Sequence, residues 1–378
     1  MARIKQTRIL LPQPSADRIA LALSRRRFLA LTAGAAAGTA FLAACGGGGG
    51  DGKSLNLYTW AEYDDPEVIE AWGDVTTDIY ASNEEAIQKL ASAGDSSGYD
   101  IVVPTGSYIP QMVTAGLLEP LDLSKIPNFA NVADEYKDQP WDQGNKYSVP
   151  KDWGSTGWIY DNTALTTPLE TWQDFIDAAM GPASGNVSVL DTPQEILGIY
   201  FWANGIDWNT TDEAELDAAE DFLVNQFAPH IKAFDSYPGI ALTEGNYALS
   251  QVWNGDARQG LVAVEEAGGD PTQYTWGLGA PTTELWMDTW VIAKGADLDN
   301  AHDFINYILD VDVSAKELEY HGYNTAVKGI QEMMQDVSYP EMIFFDAEQV
   351  KTMQPGVVNE AQDRQVEIYN NLKAAAGG

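Results

Sequence analysis

From residue 54 onward, hydrophobic and polar positions follow two alternating rhythms. Leu55-Asn56-Leu57-Tyr58-Thr59-Trp60 has the period of two expected of a strand. Pro66–Trp72 begins a helix capped by Asp64 or Asp65, and "TTDIYA" is a second strand. Over Asn83–Ala93, Ala86, Ile87, Leu90 and Ala91 share one helical face. "YDIVVP" is a wholly apolar third strand, and a helix over 109–115 is stopped by Gly116. This strand–helix alternation predicts a mostly parallel sheet. Residues 146–162, "KYSVPKDWGSTGWIYDN", read as two strands with a glycine between, crossing to a second lobe. Helices are predicted over Trp172–Met180, 193–203 and 213–227, with short strands at "NVSVLD" and "YALSQVW". "LWMDTWVIA" is a strand, followed by helices over 300–309, 313–320 and 355–375.

One position breaks this pattern. In "TELWMDTWVIAKGA", Asp288 sits two residues after Trp286, inside an apolar run. A buried carboxylate is costly unless it is paired. Beside an aromatic face it is half of a cation site, because ammonium groups are held by carboxylates and by π faces. The alternatives are a turn cap or a pair with Lys294, with Trp286 and Trp253 as ordinary core residues.

Charge points the same way. The chain has 56 acidic and 21 basic residues, a net charge of −35. Nucleic-acid binding needs clustered Lys and Arg, so this balance argues against it and suits a cationic ligand, although a solvated surface adapted to salt gives the same total. With 12 Trp and 17 Tyr, this is no disordered acidic chain. The length suggests about two domains.

The first 45 residues read as an address. Ser24-Arg25-Arg26-Arg27-Phe28-Leu29 resembles a twin-arginine export motif, and the Ala- and Gly-rich run after it ends in Leu42-Ala43-Ala44-Cys45, which resembles a lipobox. Cys45 is the expected lipidation site, followed by a glycine-rich tether over 46–53. Residues 1–44 hold seven basic and one acidic residue, so 14 basic and 55 acidic remain after cleavage, a net charge of −41. Cys45 is the only cysteine, which excludes disulfides and thiol catalysis in the mature body.

Three motifs are set aside. Residues 47–54 fit a phosphate-binding loop but precede a strand rather than open a helix. Residues 94–98 fit G-x-S-x-G but follow a helix instead of a strand. His230, His302 and His321 are isolated, without metal-ligand spacing, and are expected at surface or helix-end positions. No nucleophile–base constellation stands out, and neither enzyme activity, cofactor nor metal is expected.

Several pieces in order carry a resemblance: "LNLYTWAEY", "SNEEAIQKLASAGDSSGYDIVVPTGSYIPQM", "YSVPKDWGSTGWIYDN", "DTPQEILG", "VWNGDA", "LWMDTWVIAKGA" and "GYNTA". Over about residues 54–375 the chain resembles the extracytoplasmic polyamine-binding proteins of ABC importers, the spermidine and putrescine type. The resemblance implies an α/β, two-lobed periplasmic-binding-protein fold of type II, with a hinge of crossing strands and the ligand in the interlobe cleft. It implies lobe 1 over 54–155 and 287–330, and lobe 2 over 156–286 and 331–378. The ligand-binding positions it implies are Trp60, Glu62 and Tyr63 on the first strand, Thr105 and Ser107 after the third, Glu195, Trp253, Trp286, Asp288 and Tyr323. Two departures leave the choice between putrescine and spermidine open. Thr192, beside Asp191, stands where the family often has an acid, and Ser107 is closer to the putrescine type. Gln354 is the candidate for a C-terminal glutamine of some members.

The expected function is capture of a polyamine and its delivery to an ABC permease and ATPase. The protein is expected to be a monomer, exported, held to the membrane only by the lipid on Cys45, with no nucleic-acid partner. A receptor of the same fold for another cationic or small organic solute, or a polyamine sensor without transport, remains the alternative. An α-amino acid ligand fits less well, because none of the site positions is the arginine its carboxylate would need.

Overall fold

The computed structural model describes residues 53–94 and 96–377. The expected export signal, the expected lipidation site Cys45 and the expected tether up to Gly52 lie outside the described residues. Strand β1 (Ser54–Trp60) turns Leu55 and Leu57 inward. Asp65 caps helix Pro66–Trp72, accepting from the Glu67 amide at 2.8 Å. Asp64 points inward instead and accepts from the Thr59 hydroxyl at 2.8 Å. β2 (Asp74–Tyr80), helix Asn83–Ala93 and β3 (Ile101–Val102) complete the first run, with β1 parallel to both neighbours. A 3₁₀ turn, Gly106–Tyr108, leads into helix Ile109–Thr114.

Beyond this run the sheet departs from the mostly parallel expectation. After the short β4 (Leu118–Glu119) comes β5 (Ser148–Asp161), one strand of 14 residues rather than two. β6 (Val187–Leu190), β7 (Ile231–Asp235), β8 (Leu249–Trp253) and β9 (Tyr274–Leu278) follow, then β10 (Thr283–Ala293), β11 (Asn324–Thr325) and β12 (Met353–Pro355). The main sheet order is β2-β1-β3-β10-β5-β8-β6-β7. β10 enters antiparallel to both β3 and β5, and β5 runs antiparallel to β8 and β9. The sheet is therefore mixed, because its two longest strands run against their neighbours in this order, although β10 also pairs parallel with β12.

The glycines of β5 are sites of close approach, not breaks. Gly154 faces Trp286 in the β5–β10 register, and a Cβ there would lie 2.4 Å from the indole. A Cβ on Gly157 would lie 2.1 Å from the Gly277 carbonyl of β9.

β5 also joins two apolar cores. Val149 packs with Leu57, Ile101, Trp290 and Phe304, whereas Trp158 packs with Trp172, Trp202, Phe227 and Ile368. The helix expected over 355–375 starts later, at Gln362–Ala376, because Pro355 closes β12. The helix expected over 213–227 is α-helical only to Phe222 and finishes as a π turn, Leu223–Phe227. Helix Asn254–Glu266 was not anticipated; its Gly255 and Gly260 lack the apolar side chains of a periodic face and instead admit Tyr323 and Leu242. His302 and His321 are 3% and 1% exposed, not superficial, although His321 does end helix Val311–His321. His302 accepts from the Asp122 amide and reaches the Leu298 carbonyl, which satisfies a buried ring.

Gly157→Ala is expected to destabilise the protein by roughly 1–3 kcal/mol, since only backbone lies in the way of the new methyl group and none of it can rotate aside. Thermal melts of the variant and the parent check this. A melting temperature within a degree of the parent would mean that the β5–β9 spacing relaxes freely.

Candidate functional site

Where β5 and β10 cross between the two cores, a cleft opens, with ≈ 1110 Å³ of open volume. Its floor comes from β10. Glu284, Trp286 and Asp288 all line it, while Leu285 and Met287, pointing the other way, do not. Trp286 meets the Tyr323 ring edge-on at 4.7 Å between centroids.

One wall is built from β1 and the loop after β3. Trp60 ends β1 and donates its indole N–H to the Val103 carbonyl at 3.0 Å. Tyr63, on the turn after β1, places its hydroxyl 2.6 Å from Asp152 Oδ1 and 2.9 Å from Asp288 Oδ2. Thr105 bridges to Asp288 along the backbone and is held at both ends by Asn83 at 3.0 Å. Ser107 lies in the 3₁₀ turn beside it. The opposite wall carries Glu195, in the first turn of helix Pro193–Asn204, and Trp253, at the end of β8. Glu195 Oε1 accepts from the Thr156 hydroxyl at 2.7 Å and the Trp253 indole at 2.8 Å.

The electrostatics of the floor follow from hydrogen counting. A tyrosine hydroxyl has a single proton to donate. Tyr63 cannot satisfy Asp152 and Asp288 at once while both are ionised. Asp288 Oδ1 has no hydrogen-bond partner, and Asp288 forms no ion pair among the described residues. Burial, followed by the charge of Asp152, pushes the Asp288 carboxyl up to about 7, against the nearby Thr105 hydroxyl and the hydrogen bond from Tyr63. Lys294, the alternative partner, lies instead 2.8 Å from Glu119. Glu284 is pushed well above the ordinary carboxyl range, first by burial and then by the charge of Glu195.

Of the ten positions expected to bind ligand, Trp60, Tyr63, Thr105, Ser107, Glu195, Trp253, Trp286, Asp288 and Tyr323 line this cleft. Glu62 does not; it is exposed and lines a smaller adjoining recess with Asp256 and Gln259. Thr192 is on the cleft, but Asp191 is turned away and pairs with Lys373 at 2.7 Å. Gln354 accepts from the Trp208 amide away from the cleft, whereas Gln362 and Gln365 line it. Sequence reasoning also missed Tyr80, Tyr108, Asp256 and Glu284. Only Glu284 carried a legible signal, alternating with Trp286 and Asp288 on one strand face.

Two crossing strands between two cores, with an aromatic and acidic cleft beside them, define a two-lobed solute-binding protein. Residues 73–343 match the family of bacterial extracellular solute-binding proteins, and the chain belongs to it. The spermidine/putrescine-binding periplasmic protein of Salmonella typhimurium is 30% identical over 335 residues, covering 86% of this chain and 92% of that protein. The Escherichia coli protein of the same description is 29% identical over 338 residues, with the same coverage. A solved structure, the spermidine/putrescine ABC transporter substrate-binding protein PotD of Streptococcus pneumoniae, shares 26% identity at a TM-score of 0.71 and covers 86% of this chain and 99% of that one. No helix among the described residues is long and apolar enough to cross a membrane.

The Asp288 carboxyl gives stability a pH dependence of defined sign. In an unfolded chain an aspartate titrates near 4; here it titrates at about 7. Below about pH 4 the group is neutral in both states and costs nothing. Between these values the folded state holds a proton that the unfolded state has lost, so the group's contribution falls as pH rises, and its full cost is present above about pH 7. Asp288→Asn is therefore expected to stabilise the protein, without added ligand, by roughly 1–4 kcal/mol at pH 8 and by little at pH 4. Thermal melts across that range check it; an equal gap at both ends would mean that the carboxyl does not titrate between them.

Proposed function

We propose that this protein captures a polyamine in the cleft and delivers it, chemically unchanged, to an ABC permease and its ATPase. The observation that carries the reading is Asp288 Oδ1: a buried carboxylate oxygen without a partner, beside Trp286 on the floor of an aromatic cleft. An ammonium group supplies the missing donor and the missing charge together. Against an indole or phenol face it gains roughly 0.5–2 kcal/mol, and each methylene buried between charges contributes about 0.8 kcal/mol. The relatives at about 30% identity are described as binding spermidine and putrescine, which supports the same class of ligand here.

In this reading Trp60, Tyr63, Thr105, Ser107, Glu195, Trp253, Trp286, Asp288 and Tyr323 contact the ligand, and Glu62 stands near the cleft's rim. The lobes comprise 54–155 with 287–330 and 156–286 with 331–378, and close about β5 and β10. The protein acts as a monomer, exported by its twin-arginine signal and held at the outer face of the cytoplasmic membrane by a lipid on Cys45.

Putrescine or spermidine is expected to raise the melting temperature, and glucose and glutamate are not. A ligand that binds only the folded state stabilises it by about 2.7 kcal/mol at a hundred times its Kd. In calorimetric titration, Asp288→Asn is expected to weaken polyamine binding by roughly 2–5 kcal/mol, about 30- to 5000-fold. A shift with an anionic solute and none with any amine would sink the reading.

Cys45→Ser is expected to abolish lipidation and move the protein into the soluble fraction. Retention on membranes after a carbonate wash would show that something other than this lipid holds it.

A further inference from the structure

The row Glu284–Trp286–Asp288 has an acid at each end. A strand rises about 3.3 Å per residue, so the Cα atoms of the two acids stand about 13 Å apart, with the indole midway. The Glu284 end is as dry as the Asp288 end: Glu284 is 8% exposed and Glu195 4%. Glu195 Oε2 has no hydrogen-bond partner although the residue lines the cleft. Neither glutamate forms an ion pair among the described residues. The titratable groups facing Glu284 are Glu195 from helix Pro193–Asn204, Asp288 along its own strand, and Tyr108 from the 3₁₀ turn. From β5 and β12 it meets Thr156 and Gln354, which carry no charge. Burial and the neighbouring charge of Glu195 push the Glu284 carboxyl well above the ordinary range, so without ligand Glu284 holds its proton.

We propose that Glu284 is a second cation-contacting residue that determines specificity, and that the Glu284–Trp286–Asp288 row selects ligands whose terminal cationic nitrogens lie about as far apart as the row is long. This rests on the amine-binding reading above. Single bonds of about 1.5 Å project to about 1.25 Å each along an extended chain, so a four-carbon diamine spans about 6 Å and an eight-carbon one about 11 Å. From Asp288 the short diamine reaches only the indole. The long one brings its second ammonium to Glu284 and Glu195, and the Glu284 proton leaves for the solvent.

Calorimetric titration with 1,4-diaminobutane, 1,8-diaminooctane and 1-aminooctane tests this on the parent protein and on Glu284→Gln. The two amines share one eight-carbon chain and differ only at its far end, so the ratio of their Kd values reads the second ammonium. That ratio is expected to be at least about 100 in the parent and to shrink at least about tenfold in Glu284→Gln. Repeating the titrations in buffers of different ionisation enthalpy is expected to show more proton release with the eight-carbon diamine than with the four-carbon one, whose release comes from Asp288 alone. A ratio under about threefold in the parent, or one that Glu284→Gln leaves unchanged, overturns the proposal. Should Glu284→Gln fail to fold, the parent decides alone, and equal proton release with both diamines overturns it. If no amine binds at all, the amine-binding reading has failed; if amines bind without regard to length or second charge, only this inference has.

Discussion

Lys151 reaches from β5 into the wall behind the cleft, where its ammonium meets Asp152 at 3.0 Å, Asp64 at 3.5 Å, Glu317 at 3.9 Å and the Tyr63 carbonyl at 3.0 Å. Burial by itself would strip this lysine of its proton, but the three carboxylates outweigh that and raise its pKa instead. Charges out of water persist only where they offset one another, and one cation among three acids leaves the group short of positive charge. His321 does not make up the difference. Burial, and then the charges of Lys151 and Arg258, hold its pKa well below the usual imidazole value. Its Nδ1 accepts from the Tyr323 amide, which leaves Nε2 to carry the single proton toward Asp152 at 3.5 Å. The shortage reaches the cleft through Tyr63, whose one proton lies between Asp152 and Asp288.

This chain of contacts explains which parts of the molecule were legible in the sequence. β1 and the helices Pro66–Trp72 and Asn83–Ala93 were readable because each buries a local periodic face, and periodicity survives without the fold. Asp288 was readable as an anomaly, a charge in an apolar run. Lys151 and Asp152 were not, because "PKDWG" has the composition of a solvated turn and becomes dry only when β10, β11 and helix Val311–His321 close around it. The strand order was hidden for a similar reason. β10 inserts between β3 and β5 from more than a hundred residues downstream, and nothing in "LWMDTWVIA" states its direction.

The glycines show a related difficulty. Gly154 and Gly157 look like chain breaks by composition, yet both lie inside a continuous strand. What they signal is the bulk of a partner: the Trp286 indole for one, the β9 backbone for the other. By pressing the indole against a bare backbone, Gly154 fixes Trp286 between the two acids of its row. The same strand that joins the two cores thus also sets the position of the aromatic floor. A larger residue there would move the indole and with it the spacing between charge and aromatic face on which recognition of an alkylammonium chain depends.

Buried polar atoms are ordinarily paired, so exceptions need a physical reason. Among the described residues several indole N–H groups go without partners, including those of Trp158 and Trp202 deep in one core, and a neutral donor there is a modest cost. Carboxylate oxygens are a different matter, and four of them lack a hydrogen bond: Asp64 Oδ1, Glu317 Oε2, Asp288 Oδ1 and Glu195 Oε2. The first two lie 3.5 and 3.9 Å from the Lys151 ammonium, so the chain supplies their cation itself. The other two belong to residues lining the cleft, on β10 and on the facing helix. They pose the same electrostatic problem as the first pair. One pair is solved from within by a lysine on a tetramethylene stem, and the other sits where an ammonium on a methylene chain can enter from outside. The wall behind the cleft is in this sense an internal copy of the recognition in front of it.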